Sequence, residues 1–395
     1  MKIINTFTLL LILSSLTTPV ATANTFTEYA FAKAELNTIN EAETAKNLLA
    51  HDISPHMIKV ALLLDTSNSM DGLIDQAKAQ LWELVNELSY AKCADDARPG
   101  LEIALYEYGN DGLNAREGYI RQVLNFSNDL DEISKQLFAL TTNGGNEYCG
   151  KVIQTSLNQL EWGKQKNDLN LIFIAGNEPF DQGPVRYQDA ATNACEQDVS
   201  INTIFCGNYN TGAQTHWKAG ADLAHGDYIA INHDKRTVHI PSPYDDAILH
   251  KNKALNGTYV TYGYDGLAKQ SEQLAQDVNA SEYGKANTVK RAVSKSSHFY
   301  KNKSWDLVDA AEDADFEYEN IQNLPEELKG KNEAEIKAYV EAKRKERQQI
   351  QEEIATLNKK RLDYVAKHSS DKDNELRNAM ISAIKKQANN KSYHW

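Results

Sequence analysis

Asp65, Ser67 and Ser69 stand at alternate positions directly after an uncharged run, in the stretch IKVALLLDTSNSM. One carboxylate and two hydroxyls are hard oxygen donors, which suit Mg²⁺, Mn²⁺ or Ca²⁺ better than zinc. The run before them, residues 60–64, carries no charge and is about as long as one strand. It reads as a strand buried on both faces at the centre of a parallel sheet. Asp65 then lies at its carboxyl end, where ligands bind in open α/β sheets.

The neighbouring elements have to hold these oxygens in place. Leu73, Ala77, Leu81, Leu84, Val85 and Leu88 recur at helical spacing, so residues 71–90 form a helix whose free N–H groups face the hydroxyl-rich loop. Strands are expected at 101–108, 119–123, 170–175, 201–205 and 227–231, and helices at 130–140, 149–160, 187–199 and 217–224. Strands alternating with helices in this way give a doubly wound, mostly parallel sheet, an α/β fold.

The DTSNSM loop and this order of elements resemble a von Willebrand factor type A domain, over about residues 56–235. The resemblance implies a Rossmann-like fold and a metal-ion-dependent adhesion site built on D-x-S-x-S, here Asp65, Ser67 and Ser69. The family's second loop offers a threonine just past a glycine pair. Past Gly144 and Gly145 this chain has Asn146 and Glu147, while Thr141 and Thr142 precede the pair. The third loop usually reads T-D-G-E-P, and the corresponding residues are Ala175, Gly176, Asn177, Glu178 and Pro179. Gly176 therefore replaces an expected aspartate, which weakens a hard-cation site, and Glu147 is the candidate to restore the charge. The metal set implied is Asp65, Ser67, Ser69, Asn146 and Glu147, for Mg²⁺, Mn²⁺ or Ca²⁺. The AGNEPF wording resembles an exported bacterial branch of the family.

The rest of the chain sets the context. The 395 residues carry a formal charge of −13, which argues against a nucleic-acid partner, since phosphate binding needs a clustered basic face. Residues 1–23 read as a signal peptide: Lys2, an apolar core, then Ala21-Thr22-Ala23. A periplasmic or secreted protein is expected, with no membrane span in the mature chain. In an oxidising compartment Cys93, Cys149, Cys195 and Cys206 are expected to form two disulfides, with three connectivities open.

Residues 24–50 suggest a packing helix. Residues 239–264, rich in Pro, Tyr, Asn and Gly, suggest an ordered loop or short hairpin. Tyr259, Tyr262 and Tyr264 are read as packing on the domain rather than as a carbohydrate face. Helical spacing returns over 266–310. The C-terminal region, residues 326–395, reads as largely helical. Over 331–368 its apolar stripe breaks at 341–349, so a long charged helix with a partner at each end is expected rather than a coiled coil.

No G-x-S-x-G, H-E-x-x-H, P-loop or G-x-G-x-x-G motif is present. No catalytic residue is assigned and no enzyme is expected. The first reading is an exported module binding a partner protein's carboxylate through a metal. The alternatives are a metal-independent scaffold acting through the charged helical region, and an exported hydrolase using the same loops. Oligomeric state is not legible.

Overall fold

The computed structural model describes residues 56–232, 240–319, 321–368 and 375–395. The signal peptide, the helix expected at 24–50, and His233 and His239 lie outside the described residues. Strand β1 (Met57–Asp65) is buried along nearly its whole length, as an uncharged run of this kind requires. It occupies the middle of a six-stranded sheet with β2 (Gly100–Tyr108), β3 (Ile120–Ser127), β4 (Leu169–Gly176), β5 (Val199–Cys206) and β6 (Tyr228–Ile231). The order is β3-β2-β1-β4-β5-β6, all parallel except the edge strand β3, which runs antiparallel to β2.

Because side chains alternate along a strand, β1 feeds two cores. Ile58, Val60, Leu62 and Leu64 face one side, with Leu105 and Phe173 beside them. Ala61 and Leu63 face the other, with Tyr106, Tyr108 and Ile174. Helices α1 (Asp71–Leu88) and α2 (Leu130–Phe138) cover the first face. On the second lie α3 (Cys149–Gln159), α4 (Tyr187–Glu196) and α6 (Trp217–Leu223), the last preceded by the short α5 (Tyr209–Gln214).

Beyond the sheet, helices α7 (Asp245–Asn256), α8 (Gly266–Glu282), α9 (Lys285–Lys295), the single turn α10 (Leu307–Ala310), α11 (Glu333–His368) and α12 (Glu375–Asn389) follow. They add a further layer outside α1. Ile248, Leu255, Val289, Ile354, Leu376 and Ile384 belong to the same buried cluster as Leu73, Trp82 and Val85.

Residues 239–264 hold a helix, α7, where a loop or hairpin was expected. Its sequence DDAILHKNKALN has few apolar positions, and it is held by its neighbours instead. Asp245 is buried under the Arg361 guanidinium of α11, with Nε to Oδ1 at 3.1 Å. Tyr259 packs against Tyr300 and Trp305, while Tyr264 is open to solvent.

Helix α11 is also seated along its length rather than at its two ends. Its buried residues are Ile336, Val340, Arg347, Ile350, Ile354, Asn358 and Arg361, so Arg347 fills the break in the apolar stripe. That guanidinium donates to Asp306 Oδ2 at 2.6 Å, Asp309 Oδ1 at 2.8 Å and the Thr258 carbonyl at 2.8 Å, and lies over the Tyr259 ring. A buried charge is tolerated when it is paired and hydrogen-bonded in this way.

The two disulfides expected from the cysteine count are not formed among the four cysteines, all of which are described. Cys93 and Cys206 lie in the core on one face of the sheet. Cys149 and Cys195 lie on the other, where Cys149 Sγ is 3.7 Å from Tyr108 Oη and Cys195 Sγ donates to the Leu223 carbonyl. No described helix is long and apolar enough to cross a membrane.

Candidate metal centre

Strand register decides what meets at the top of the sheet. Asp65 pairs with Tyr108 on β2, and Leu64 with Ala175 on β4, so Asp65, Tyr108 and Gly176 end three adjacent strands. The loop after β1 turns on Asp65 itself: Oδ1 accepts from the Ser67 backbone N–H at 2.8 Å, the local carboxylate bond that aspartates favour in turns. A single 3₁₀ turn, Asn68–Met70, then leads into α1. This brings the Ser67 and Ser69 hydroxyls to 3.3 Å from each other.

The second loop closes over the first. The Asn143 N–H donates to the Thr66 carbonyl at 2.9 Å, and the Asp111 N–H to the Gly144 carbonyl at 2.5 Å. Gly109, at φ +80°, lets Glu147 come in beside Asp65. A Cβ at Gly109 would sit 2.7 Å from Asp65 Oδ1 and 2.9 Å from Glu147 Cγ. Glu147 is buried, with the Ser67 hydroxyl close enough to favour its ionised form. Asn146, by contrast, points to solvent, and Thr142 bonds to Asp71 at the start of α1, away from Asp65.

Asn177 of the third loop, given no ligand role in the sequence, joins the site. Its Nδ2 donates to Ser69 Oγ at 3.1 Å, while its Oδ1 is buried with no hydrogen-bond partner. The alignment with T-D-G-E-P drew attention to Gly176, one place earlier. The signal available was position: Asn177 follows a fully buried strand, as Ser67 follows β1. His216 stacks on Tyr187 and faces Asp181, and among the described residues no group of three or more His, Cys, Asp or Glu gathers with metal-ligand spacing.

Electrostatics mark the same place. Burial pushes the Asp65 carboxyl up to about 7, with the Ser67 bonds opposing and the Glu147 and Glu178 charges adding to the rise. Burial likewise pushes Glu147 up to about 7, and the charges of Glu178 and Asp111 add to it. Asp65 is wholly buried, and its Oδ2 has no hydrogen-bond partner. Unsatisfied buried oxygens of this kind are costly and call for an explanation.

Residues 59–219 match the model of the von Willebrand factor type A domain. The chain carries a von Willebrand factor type A domain. The mostly parallel six-stranded sheet with helices on both faces is this domain's Rossmann-like architecture, and the helical C-terminal layer is appended to it. No curated protein matches the chain. Among solved structures, the conserved hypothetical protein BatB from Bacteroides thetaiotaomicron aligns at 14% identity over 44% of this chain and 90% of its own, TM-score 0.34. Proximal thread matrix protein 1 from the mussel byssus, with a zinc-occupied MIDAS motif, aligns at 12% identity over 46% of this chain and 43% of its own, TM-score 0.34. The pilus adhesin SpaC from Lactobacillus rhamnosus GG aligns at 10% over 46% and 28%, TM-score 0.34.

The donor set at the type A domain's first loop fits a hard divalent cation. It offers one buried carboxylate oxygen and one buried amide oxygen without partners, two hydroxyls, and a second carboxyl held close in Glu147.

Proposed function

We propose that the type A domain is a binding module, not a catalyst, and that it engages a carboxylate of a partner protein through a divalent cation of the Mg²⁺ class. Asp65, Ser67 and Ser69 would hold the cation, with Asn177 and Glu147 beside them. The cation, when bound, supplies an open coordination position to an oxygen anion. The observation that carries this reading is the buried Asp65 Oδ2 with no hydrogen-bond partner, set at the carboxyl end of the central strand.

The chain's own residues do the positioning. The Ser67 N–H fixes the rotamer of Asp65, and Asn177 orients the Ser69 hydroxyl. Ser69 is exposed while Asp65 is not, so access runs from the hydroxyl side. Export to the periplasm or exterior belongs to the same proposal, supported by the pattern of residues 1–23. Calorimetric titration with Mg²⁺ and Mn²⁺ tests the reading: binding is expected in the wild type and lost in Asp65→Ala, and equal binding in both proteins would overturn it.

A further inference from the structure

Beside the metal centre, the edge of the sheet carries an open groove of about 570 Å³ between β3 with its leading loop and helix α3. Its charged lining is Arg116, Arg121, Lys151 and Glu117, three cations to one acid in a chain whose formal charge is −13. Arg121 is shared with Glu107, Nε to Oε1 at 2.5 Å. Arg116 and Lys151 have no carboxylate partner among the described residues. Gln122, also on the wall, has a buried side-chain Nε2 with no hydrogen-bond partner.

β3 forms one wall of the groove. Among the described residues β3 pairs with β2 and with no other strand, so half its backbone N–H and C=O groups face away from the sheet. An edge strand next to a helix is the geometry in which an extended peptide adds as a further strand, main chain supplying affinity and side-chain pockets supplying choice. The groove's lining includes Gly112, next to Asp111, whose N–H is tied to the Gly144 carbonyl of the loop that carries Glu147.

We propose that this groove docks an extended acidic segment of a partner protein, which adds to the free edge of β3 while its carboxylates meet Arg116, Arg121 and Lys151. The inference deepens the function proposed above and rests on it, since it gives the same acidic partner a second point of contact. The charges choose the ligand's sign and the strand edge its conformation.

Fluorescence polarisation of the full chain in EDTA, with a fluorescein-labelled decapeptide alternating Val and Glu, separates the groove from the metal. Binding is expected, falling at least tenfold in the surface double variant Arg116→Glu/Lys151→Glu. That variant should take up the Val–Lys counterpart instead. Of two Val–Glu peptides N-methylated on alternate residues, one should lose binding and the other keep it. No binding in EDTA, equal binding by the double variant, or indifference to N-methylation would each overturn the proposal. So would a dimer in sedimentation that the same double variant dissolves without any peptide binding, which would assign the groove to a second copy. Failure of the metal reading looks different: Mg²⁺ binding unchanged in Asp65→Ala.

Discussion

The Tyr108 hydroxyl occupies the space that a side chain at Gly176 would need. A Cβ built at Gly176 would lie 2.6 Å from Tyr108 Oη, and 3.1 Å from both Asp65 Oδ2 and Trp217. The hydroxyl is itself held by the Ala175 carbonyl at 2.9 Å, one residue before the glycine. The missing third-loop aspartate and the buried tyrosine are therefore one feature: tyrosine on β2 and a side chain on β4 compete for the same volume above β1.

Restoring the aspartate alone should fail. Gly176→Asp is expected to destabilise the protein by about 1–3 kcal/mol, the usual cost of overpacking a dense core. Tyr108→Phe alone loses the bond to Ala175, about 1 kcal/mol. The double variant should be more stable than the sum of the two by about 1 kcal/mol, because removing the hydroxyl opens room for the carboxylate. Urea denaturation of the four proteins measures this coupling, and purely additive effects would refute the competition.

Arg347 and Arg344 offer a paired test of buried against exposed charge on one helix. Arg344 sits in solvent beside Glu341, and replacing it by Lys should change stability by less than about 0.5 kcal/mol. Arg347→Lys replaces a planar fork that reaches Asp306, Asp309 and Thr258 at once by a single ammonium, and should cost about 1–3 kcal/mol because buried acceptors lose donors. Thermal unfolding that lowers both variants equally would show that α11 is not anchored at Arg347.

These residues also mark how far the sequence could be read. β1 was legible because an uncharged run ended by Asp65 has few other readings, and the alternation after it gave the sheet. The middle of α11 was not, since periodicity counts apolar residues and an arginine paired with two distant acids leaves no local trace. Helix α7 was hidden for the same reason: Asp245 is held by Arg361, more than a hundred residues away. At the site, Asp65, Ser67 and Ser69 were visible as a motif and Glu147 as a charge. Asn177 depends on how the β4 loop folds back to Ser69, a tertiary fact.

Acid should attack the layer of helices outside α1 through Asp277. Burial opposes its ionisation, but Arg291, Lys295 and Asn256 outweigh that and hold the carboxyl down at about 2. A depressed carboxylate contributes stability above its unfolded value near 4, and the contribution is lost as pH falls from about 4 towards 2. Asp277→Asn should therefore flatten that part of the stability curve. At neutral pH it should cost about 3–5 kcal/mol, since Lys295 is buried and would lose its carboxylate partner, while Arg291 would keep only Asp131. Denaturant midpoints between pH 2 and 7 decide the matter: an unchanged slope in the variant would place the acid sensitivity elsewhere.

Glu147 sets stability against binding. Its carboxyl is buried beside Asp65 and faces Glu178, so ionising it in the cation-free protein is unfavourable. Glu147→Gln keeps the shape and removes the charge. In EDTA at neutral pH it should raise stability by about 1 kcal/mol, the gain seen when a strained functional group is neutralised. In Mg²⁺ the order should reverse, with affinity for the cation about tenfold weaker, because a hard cation loses a nearby negative charge. Thermal midpoints with and without Mg²⁺, for wild type and Glu147→Gln, give both quantities in one series. A variant less stable than wild type in EDTA would show that favourable contacts of the Glu147 carboxylate outweigh the repulsion, and Glu147 would then be a structural residue of the loop and not part of the cation's surroundings.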